Sequence, residues 1–292
     1  MTRKSLFHFI LVGILWGVPY LLMKVAVVDF PPAVVVAGRT LIGAMILIPI
    51  ALYRKSFKGA VIGFKFVALY ALLEMIGPWI LITTAEQKID SGLAAILVST
   101  VPIFATIITS LRGDHSVWQF KRVFGIVIGF IGLIAVVGIE SLFGTSDPKS
   151  IAMVVLAALG YAYAVIMVTS NLPLVDGIAI NGLAMAITTI FWTPFAIVQW
   201  PSQISLNSLL SLLALGVFST ALAFIYFFRL MDEIGPARSS LVTYLSTAVA
   251  VILGVIILRE PLTVGILVGL PFVLIGSYLA SRKNESTLFA KS

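Results

Sequence analysis

The sequence predicts an all-α polytopic membrane protein, with ten transmembrane helices arranged as two inverted five-helix repeats. Three observations lead to this fold class. The composition is strongly apolar, the chain divides into ten apolar segments of membrane-crossing length, and the second half of the chain repeats features of the first.

The composition excludes an ordinary soluble protein. Of the 292 residues, 60% are hydrophobic and only 11% are charged, whereas a soluble domain carries about 25% charged residues. The mean hydropathy of +1.14 is too apolar for a surface exposed to water. The net charge of +7 does not indicate nucleic-acid binding, because basic residues of membrane proteins collect in cytoplasmic loops. The expected partner is therefore the lipid bilayer, and no nucleic acid is expected.

Ten apolar segments approach the roughly 20 residues that a helix needs to cross a bilayer. Asp29 and Pro31 end the first segment, and Arg54, Lys55 and Lys58 follow the second. The ten predicted spans, numbered one to ten, are 6–28, 32–53, 62–84, 90–111, 120–139, 151–169, 177–199, 205–229, 236–258 and 262–281. The first is longer than a signal-peptide core, so we interpret it as an uncleaved span.

A polar linker, 141–150, separates spans five and six. Gly144, Ser146, Asp147 and Pro148 within it are typical turn formers. We therefore predict a first five-helix repeat over 1–140 and a second over 151–292, which ends in a short cytoplasmic tail.

The basic residues predict the orientation. If the N-terminus lies in the cytoplasm, most of the 19 lysines and arginines fall in cytoplasmic loops, and only Lys88, Lys149 and Arg259 fall outside. Since positive charge accumulates on the cytoplasmic side, both termini are expected there.

The two halves of the chain correspond at a regular spacing. Gly125 and Gly132 in span five correspond to Gly269 and Gly276 in span ten, each pair 144 positions apart by subtraction. Each half has an odd number of spans, so consecutive copies cross the membrane in opposite directions. Inverted repeats are a recurring transporter architecture, with the substrate site near the midplane between the halves.

Four stretches carry a resemblance to a known family. They are ILWGVPYLLMKVAV in span one, VVAGRTLIGAMILIP in span two, AEQKIDSGLAAILVSTVPIF across spans three and four, and LREPLTVGILVGLPFVLIGSYL across spans nine and ten. With these stretches, the chain resembles the ten-helix EamA-type members of the drug/metabolite transporter superfamily. Many of those proteins are bacterial exporters of amino acids and other metabolites.

The resemblance implies a cavity between spans one, three, four, six, eight and nine. Two departures from the family concern that cavity. Ser246 and Thr247 stand where span nine of the family usually carries a proline, whereas span four keeps Pro102. Gly160 and Tyr161 stand where a tryptophan is common in span six.

We expect a secondary transporter that exports small metabolites, with amino acids favoured, across the cytoplasmic (inner) membrane by alternating access. No G-x-x-x-x-G-K-[ST] phosphate loop is present, so a gradient rather than nucleotide hydrolysis is expected to drive transport. We expect no enzymatic activity and no cofactor. The alternative is a membrane-embedded enzyme acting on lipid or isoprenoid substrates, or a flippase. Such an enzyme would need clustered acids, and the 12 acidic residues stand singly, nearly all in loops.

Glu74 is the candidate for ion coupling. It lies near the middle of span three, one turn before Gly77-Pro78-Trp79, and charges inside spans are costly. It could be a protonatable group or the partner of a substrate amine. It could equally be a neutral carboxyl that hydrogen-bonds to a neighbouring helix.

Aromatic and hydroxyl side chains within the spans could line a cavity with flat apolar walls and a few polar groups. Plain interhelical packing is the other interpretation of the aromatic set, and hydroxyls can simply bond to the preceding turn. The candidate substrate-cavity residues are Trp16, Tyr20, Glu74, Pro78, Trp79, Ser99, Tyr161, Tyr163, Tyr244 and Ser246.

Two basic residues also lie within spans. Arg39 could bind a carboxylate, pair with a structural acid, or extend outward to the interface. Lys24 is expected to extend to the interface, and Glu86 could partner either. His8 lies near the end of a span without a companion at ligand spacing, so no metal site is expected.

The glycine pairs Gly125-xxx-Gly129 and Gly265-xxx-Gly269 form faces of small residues that let helices approach closely. We expect them to pack span four against five and span nine against ten, or to join two chains in a homodimer.

Overall fold

The computed structural model describes residues 1–113, 119–142 and 147–281, and within these ranges the regular structure is helical, without strands. The long helices, numbered in chain order, are α1 Arg3–Ala26, α2 Pro32–Tyr53, α3 Phe64–Ala85, α4 Ser91–Leu111, α5 Phe120–Leu142, α6 Pro148–Asn171, α7 Gly177–Val198, α8 Leu206–Ile234, α9 Val242–Ile256 and α10 Val264–Ser281. Short helices, Phe57–Ile62 and Pro236–Ser239, precede α3 and α9.

Each of the ten predicted spans coincides with a helix. Within the described residues, seven helices are long and apolar enough to cross a membrane: α1 to α4 and α6 to α8. Helix α9 and residues Val264–Ala280 of α10 are shorter apolar helices. The all-helical, multi-pass part of the prediction is confirmed, and the inverted arrangement of ten spans stays a prediction.

Local sequence signals account for several helix ends. Thr2 and Asp147 accept hydrogen bonds from the backbone N–H groups of Ser5 and Ser150, which lie in the first turns of α1 and α6. Such side-chain caps satisfy donors that have no acceptor within the helix. Helix α6 begins at Pro148, inside the predicted linker. Residues 143–146 of that linker and the tail 282–292 lie outside the described residues.

The helices pack in a pattern that is symmetric between the two halves. Helix α1 packs against α9 and α8, and correspondingly α6 packs against α4 and α3. Helix α2 contacts α8 as α7 contacts α3, and the pairs α2–α7, α4–α9 and α5–α10 link equivalent helices. Exchanging each helix with the one five positions away therefore reproduces this set of contacts.

The glycine faces of α5 and α10 pack against each other. A Cβ at Gly132 would lie 2.6 Å from the backbone nitrogen of Val273 and 2.9 Å from the carbonyl of Gly269. The expected packing of α4 against α5 holds at Gly129, where a Cβ would meet Ile103 of α4, but the expectation missed α10, which the glycines of α5 also face. Gly269 and Gly276 of α10 face α5 and not α9. A small-residue face indicates a close approach, but it does not say which helix approaches.

In the described part of the chain, two helices contain a π-helical segment, in which each backbone N–H donates to the carbonyl five residues earlier instead of four. These segments are Leu72–Ile76 in α3 and Leu215–Leu222 in α8, and their first residues are 143 positions apart by subtraction. Helix α4 is also interrupted, at Ser99 and Thr100. Such irregularities free backbone groups and frequently occur at functional sites.

Candidate functional site

The two π-helical segments carry polar side chains into the apolar bundle. Glu74 lies in the segment of α3, and Ser219 and Thr220 lie in that of α8. Glu74 and Ser219 are 145 positions apart by subtraction. Among the described residues, neither Glu74 Oε2 nor Ser219 Oγ has a hydrogen-bond partner, although both atoms are buried. Buried polar atoms normally have hydrogen-bond partners, so these two atoms make this part of the bundle a candidate site.

Arg39 of α2 lies beside the same two helices. Its Nε and Nη2 atoms both lie 3.2 Å from Thr220 Oγ1, and Nη1 lies 3.6 Å from the sulfur of Met23. The guanidinium stacks on Trp79, with Cζ 3.8 Å from the ring centroid. Arg39 is only 6% exposed, so it does not extend outward. Within the described part of the chain, no carboxylate forms an ion pair with it.

Aromatic side chains join the Arg39 region to Glu74. Trp79 is buried, and Tyr161 lies within electrostatic range of Glu74, Tyr20 and Arg39. Gly160 lets α6 approach this part of α3, because a Cβ there would lie 2.8 Å from the carbonyl of Leu73 and 3.2 Å from Cγ of Pro78. The structure therefore brings five of the predicted cavity residues together: Tyr20, Glu74, Pro78, Trp79 and Tyr161.

Trp192 of α7 is part of this region and was not predicted from the sequence. Its indole N–H donates to the carbonyl of Ile76, at the end of the π-helical segment of α3, at 3.2 Å. The family resemblance implied no cavity role for span seven. The signal that could have identified Trp192 is its position inside an apolar span.

Two other predicted aromatic residues make ring contacts with other parts of the bundle. Trp16 packs between α1 and α8, with its ring 4.5 Å from that of Phe227. Tyr163 is exposed on α6, with the guanidinium of Arg112 5.8 Å from its ring centroid.

Tyr244 and Ser246 lie on α9. The ring of Tyr244 is 6.3 Å from that of Tyr278 on α10. Ser246 Oγ donates to the carbonyl of Thr243 at 2.8 Å, and Ser99 Oγ on α4 likewise donates to that of Ile96 at 2.7 Å. The hydroxyls of both serines therefore bond to their own helices and retain only acceptor capacity for a ligand.

Lys24 and Glu260 hold the turn between α3 and α4. Lys24 Nζ donates to the carbonyls of Glu86 at 2.8 Å and Ile89 at 2.6 Å, in the turn that follows α3. The carboxylate of Glu260 accepts from Ser91 N at 2.8 Å, Ser91 Oγ at 2.7 Å and Gly92 N at 3.3 Å. It therefore caps the first turn of α4 from a distant part of the chain. We call these contacts the Lys24–Glu260 clamp.

Glu86 is a second buried acid beside this clamp. Its side chain is fully buried, and neither carboxyl oxygen has a hydrogen-bond partner among the described residues. Burial raises the pKa of this carboxyl well above its usual value, and the nearby Lys24 ammonium opposes that shift. The sequence identified Glu86 only as a partner for Lys24 or Arg39.

His8 lies in a cluster of ionic contacts near the N-terminus. Its Nδ1 is 3.2 Å from Glu233 Oε2, and Lys4 Nζ is 3.1 Å from the other oxygen of that carboxylate. Over residues 1–113, 119–142 and 147–281, no group of three or more histidine or acidic side chains assembles that could hold a metal ion.

Comparisons with known proteins agree with the sequence resemblance. The EamA-like transporter family matches twice, over residues 3–138 and 148–282. The chain is 26% identical over 287 residues to the uncharacterized transporter YoaV of Bacillus subtilis, covering 94% of this chain and 96% of YoaV. It is 27% identical to the uncharacterized transporter YvbV of the same organism, covering 98% and 93%.

Another relative is the uncharacterized inner membrane transporter YedA of Escherichia coli K12, which is 26% identical over 245 residues and covers 82% of this chain and 78% of YedA. A solved structure, described only as the crystal structure of a protein, superposes with a TM-score of 0.65 at 15% identity and covers both chains completely. This likeness concerns the fold alone.

Proposed function

This chain belongs to the EamA-like transporter family, and we propose that it exports small metabolites, with amino acids as the substrate class, by alternating access. The observation that carries the proposal is the pair of π-helical segments in α3 and α8. They place buried oxygen atoms of Glu74 and Ser219, without partners among the described residues, inside an apolar bundle. Broken helices that present polar groups near the midplane are typical of transporter binding sites.

The proposed mechanism needs two halves that can rock against each other. The symmetric helix contacts and the two π-helical segments 143 positions apart support an inverted repeat. The prolines inside α2 and α7, Pro49 and Pro194, are 145 positions apart by subtraction and add to this support. The proposed repeats are 1–140 and 151–292.

The proposed cavity centres on Glu74, Trp79 and Tyr161. Tyr20 and Pro78 adjoin this centre, and the predicted residues Trp16, Ser99, Tyr244 and Ser246 would line the outlying parts of the cavity. We leave the exposed Tyr163 outside it.

Glu74 is the proposed coupling residue. A carboxyl inside a span can take up and release a proton as the cavity opens to either side. The proposed location is the inner membrane, by analogy with the inner membrane transporter YedA, and the distribution of basic residues supports cytoplasmic termini. No observation favours the alternative of a membrane-embedded enzyme.

Efflux from proteoliposomes tests the proposal. Vesicles loaded with carbon-14-labelled L-amino acids are expected to release label faster with the protein than without it, at a rate that depends on external pH. Glu74→Gln should abolish the pH dependence, whereas the matched variant of an exposed acid, Asp232→Asn, should behave as the wild type. Folded protein that gives no efflux of any amino acid would contradict the proposed substrate class. Unchanged pH dependence in Glu74→Gln would remove Glu74 from coupling.

A further inference from the structure

Arg39 is a buried cation whose hydrogen-bonding capacity is only partly used. A guanidinium has five N–H donors and stays charged in proteins. Among the described residues, its contacts are one hydroxyl, shared by Nε and Nη2, and one thioether sulfur, which is a weak acceptor. The remaining donors have no acceptor in the described chain.

The charge of Arg39 is also without a close counter-charge. Glu86 lies within electrostatic range, but it makes no ion pair with Arg39. Stacking on Trp79 stabilises the cation in part. Buried charges are normally paired, whereas Arg39 forms no ion pair among the described residues.

The surroundings hold the guanidinium in one orientation. Trp79 covers a face of the planar group at 3.8 Å, and Thr220 contacts Nε and Nη2 from the π-helical segment of α8. A guanidinium stacked in this way presents its remaining donors in its own plane. That arrangement suits a carboxylate, which accepts two parallel hydrogen bonds from an arginine.

We propose that Arg39 binds the carboxylate of the transported substrate. This inference rests on the proposed function, because it concerns the substrate of the same cavity. Thr220 is then a positioning residue, since it would act by orienting Arg39.

A tyrosine of α6 adjoins this proposed receptor. Tyr161, within electrostatic range of both Glu74 and Arg39, would lie beside the bound molecule.

Competition by substrate analogues tests the inference in the wild-type protein. The tracer is a mixture of carbon-14-labelled L-amino acids taken up into proteoliposomes, and the competitors are unlabelled L-amino acids or the corresponding α-carboxamides. We expect the carboxamides to compete at least about tenfold more weakly, because they leave the buried cation unpaired. If they compete equally well, Arg39 is not a carboxylate receptor, although transport stands. If folded protein takes up no tracer, the proposed function itself is wrong.

Variants then assign the discrimination to Arg39. Arg39→Gln should lower the rate of tracer uptake at least about tenfold. In this variant, amino acids and carboxamides should compete equally well. Arg54→Gln is the matched control, because it removes a half-exposed arginine that pairs with Asp176 at 3.5 Å. Thr220→Val should raise the KM for uptake with little change in kcat, and Thr220→Ser should restore it. Wild-type discrimination in Arg39→Gln would overturn the proposal.

Discussion

Replacing Glu260 by alanine should destabilise the protein by disconnecting two distant parts of the chain. The carboxylate accepts three hydrogen bonds from Ser91 and Gly92, at 2.8, 2.7 and 3.3 Å. Two of the donors are backbone N–H groups at the start of α4, which have no acceptor within that helix. The alanine variant leaves these part-buried groups unsatisfied.

The magnitude follows from the bonds that are lost. Removing a helix cap costs about 1 kcal/mol, and a hydrogen bond to a charged group contributes about 1.5–3 kcal/mol. Because the three bonds share one carboxylate, they do not add fully, and we expect Glu260→Ala to lower the free energy of unfolding by about 2–3 kcal/mol. Ser91→Ala removes only the hydroxyl partner and should cost about 1 kcal/mol.

Denaturant unfolding of the purified protein in detergent, followed by tryptophan fluorescence, measures both effects. The double variant should be less destabilised than the sum of the single variants, since both remove the same hydroxyl–carboxylate bond. Asp232→Ala, which removes an exposed acid, is the control. Strict additivity of Ser91→Ala and Glu260→Ala, or wild-type stability of Glu260→Ala, would refute the reasoning.

Three further predictions follow from the structure. Gly132→Ala should lower the free energy of unfolding by about 1–3 kcal/mol, because its Cβ would meet the backbone of α10. The control Gly59→Ala should leave stability unchanged, because its Cβ would make ordinary contact with Val175 at 3.4 Å. Equal stability of the two variants would contradict the α5–α10 packing. Burial raises the pKa of Glu86, so the folded state retains a proton that the unfolded chain releases, and the free energy of unfolding should fall as pH rises above the usual carboxyl pKa. Glu86→Gln should flatten the dependence of the free energy of unfolding on pH, measured by denaturant unfolding at a series of pH values. An unchanged dependence would contradict the prediction. In whole cells, an impermeant thiol reagent should label Lys88→Cys and spare Gln119→Cys, and the reverse pattern would overturn the predicted orientation.

The positions of the helices could be predicted because their signals are local. A run of apolar residues, a proline at a first position such as Pro32, and a cap such as Asp147 all act within a few residues of where they stand. Glu74 was identifiable for the same reason, because a carboxyl in an apolar run is conspicuous in the sequence.

The partners across helices could not be predicted. Membrane helices are apolar on most faces, so the pattern of hydrophobic residues says little about which face meets which neighbour. Thr220 contacts Arg39 from 181 positions away, and that contact depends on the π-helical segment of α8. The same limit applies to the Lys24–Glu260 clamp and to the α5–α10 interface.

A counterflow measurement tests the central claim most directly. Proteoliposomes loaded with unlabelled L-amino acids are diluted into a trace of the labelled compounds, and internal label is followed with time. Alternating access predicts a transient accumulation of label above equilibrium. The binding site carries unlabelled substrate outward, releases it, and returns inward with labelled substrate. Equilibration without an overshoot, or no entry of label into vesicles that contain folded protein, would contradict an alternating-access exporter of amino acids.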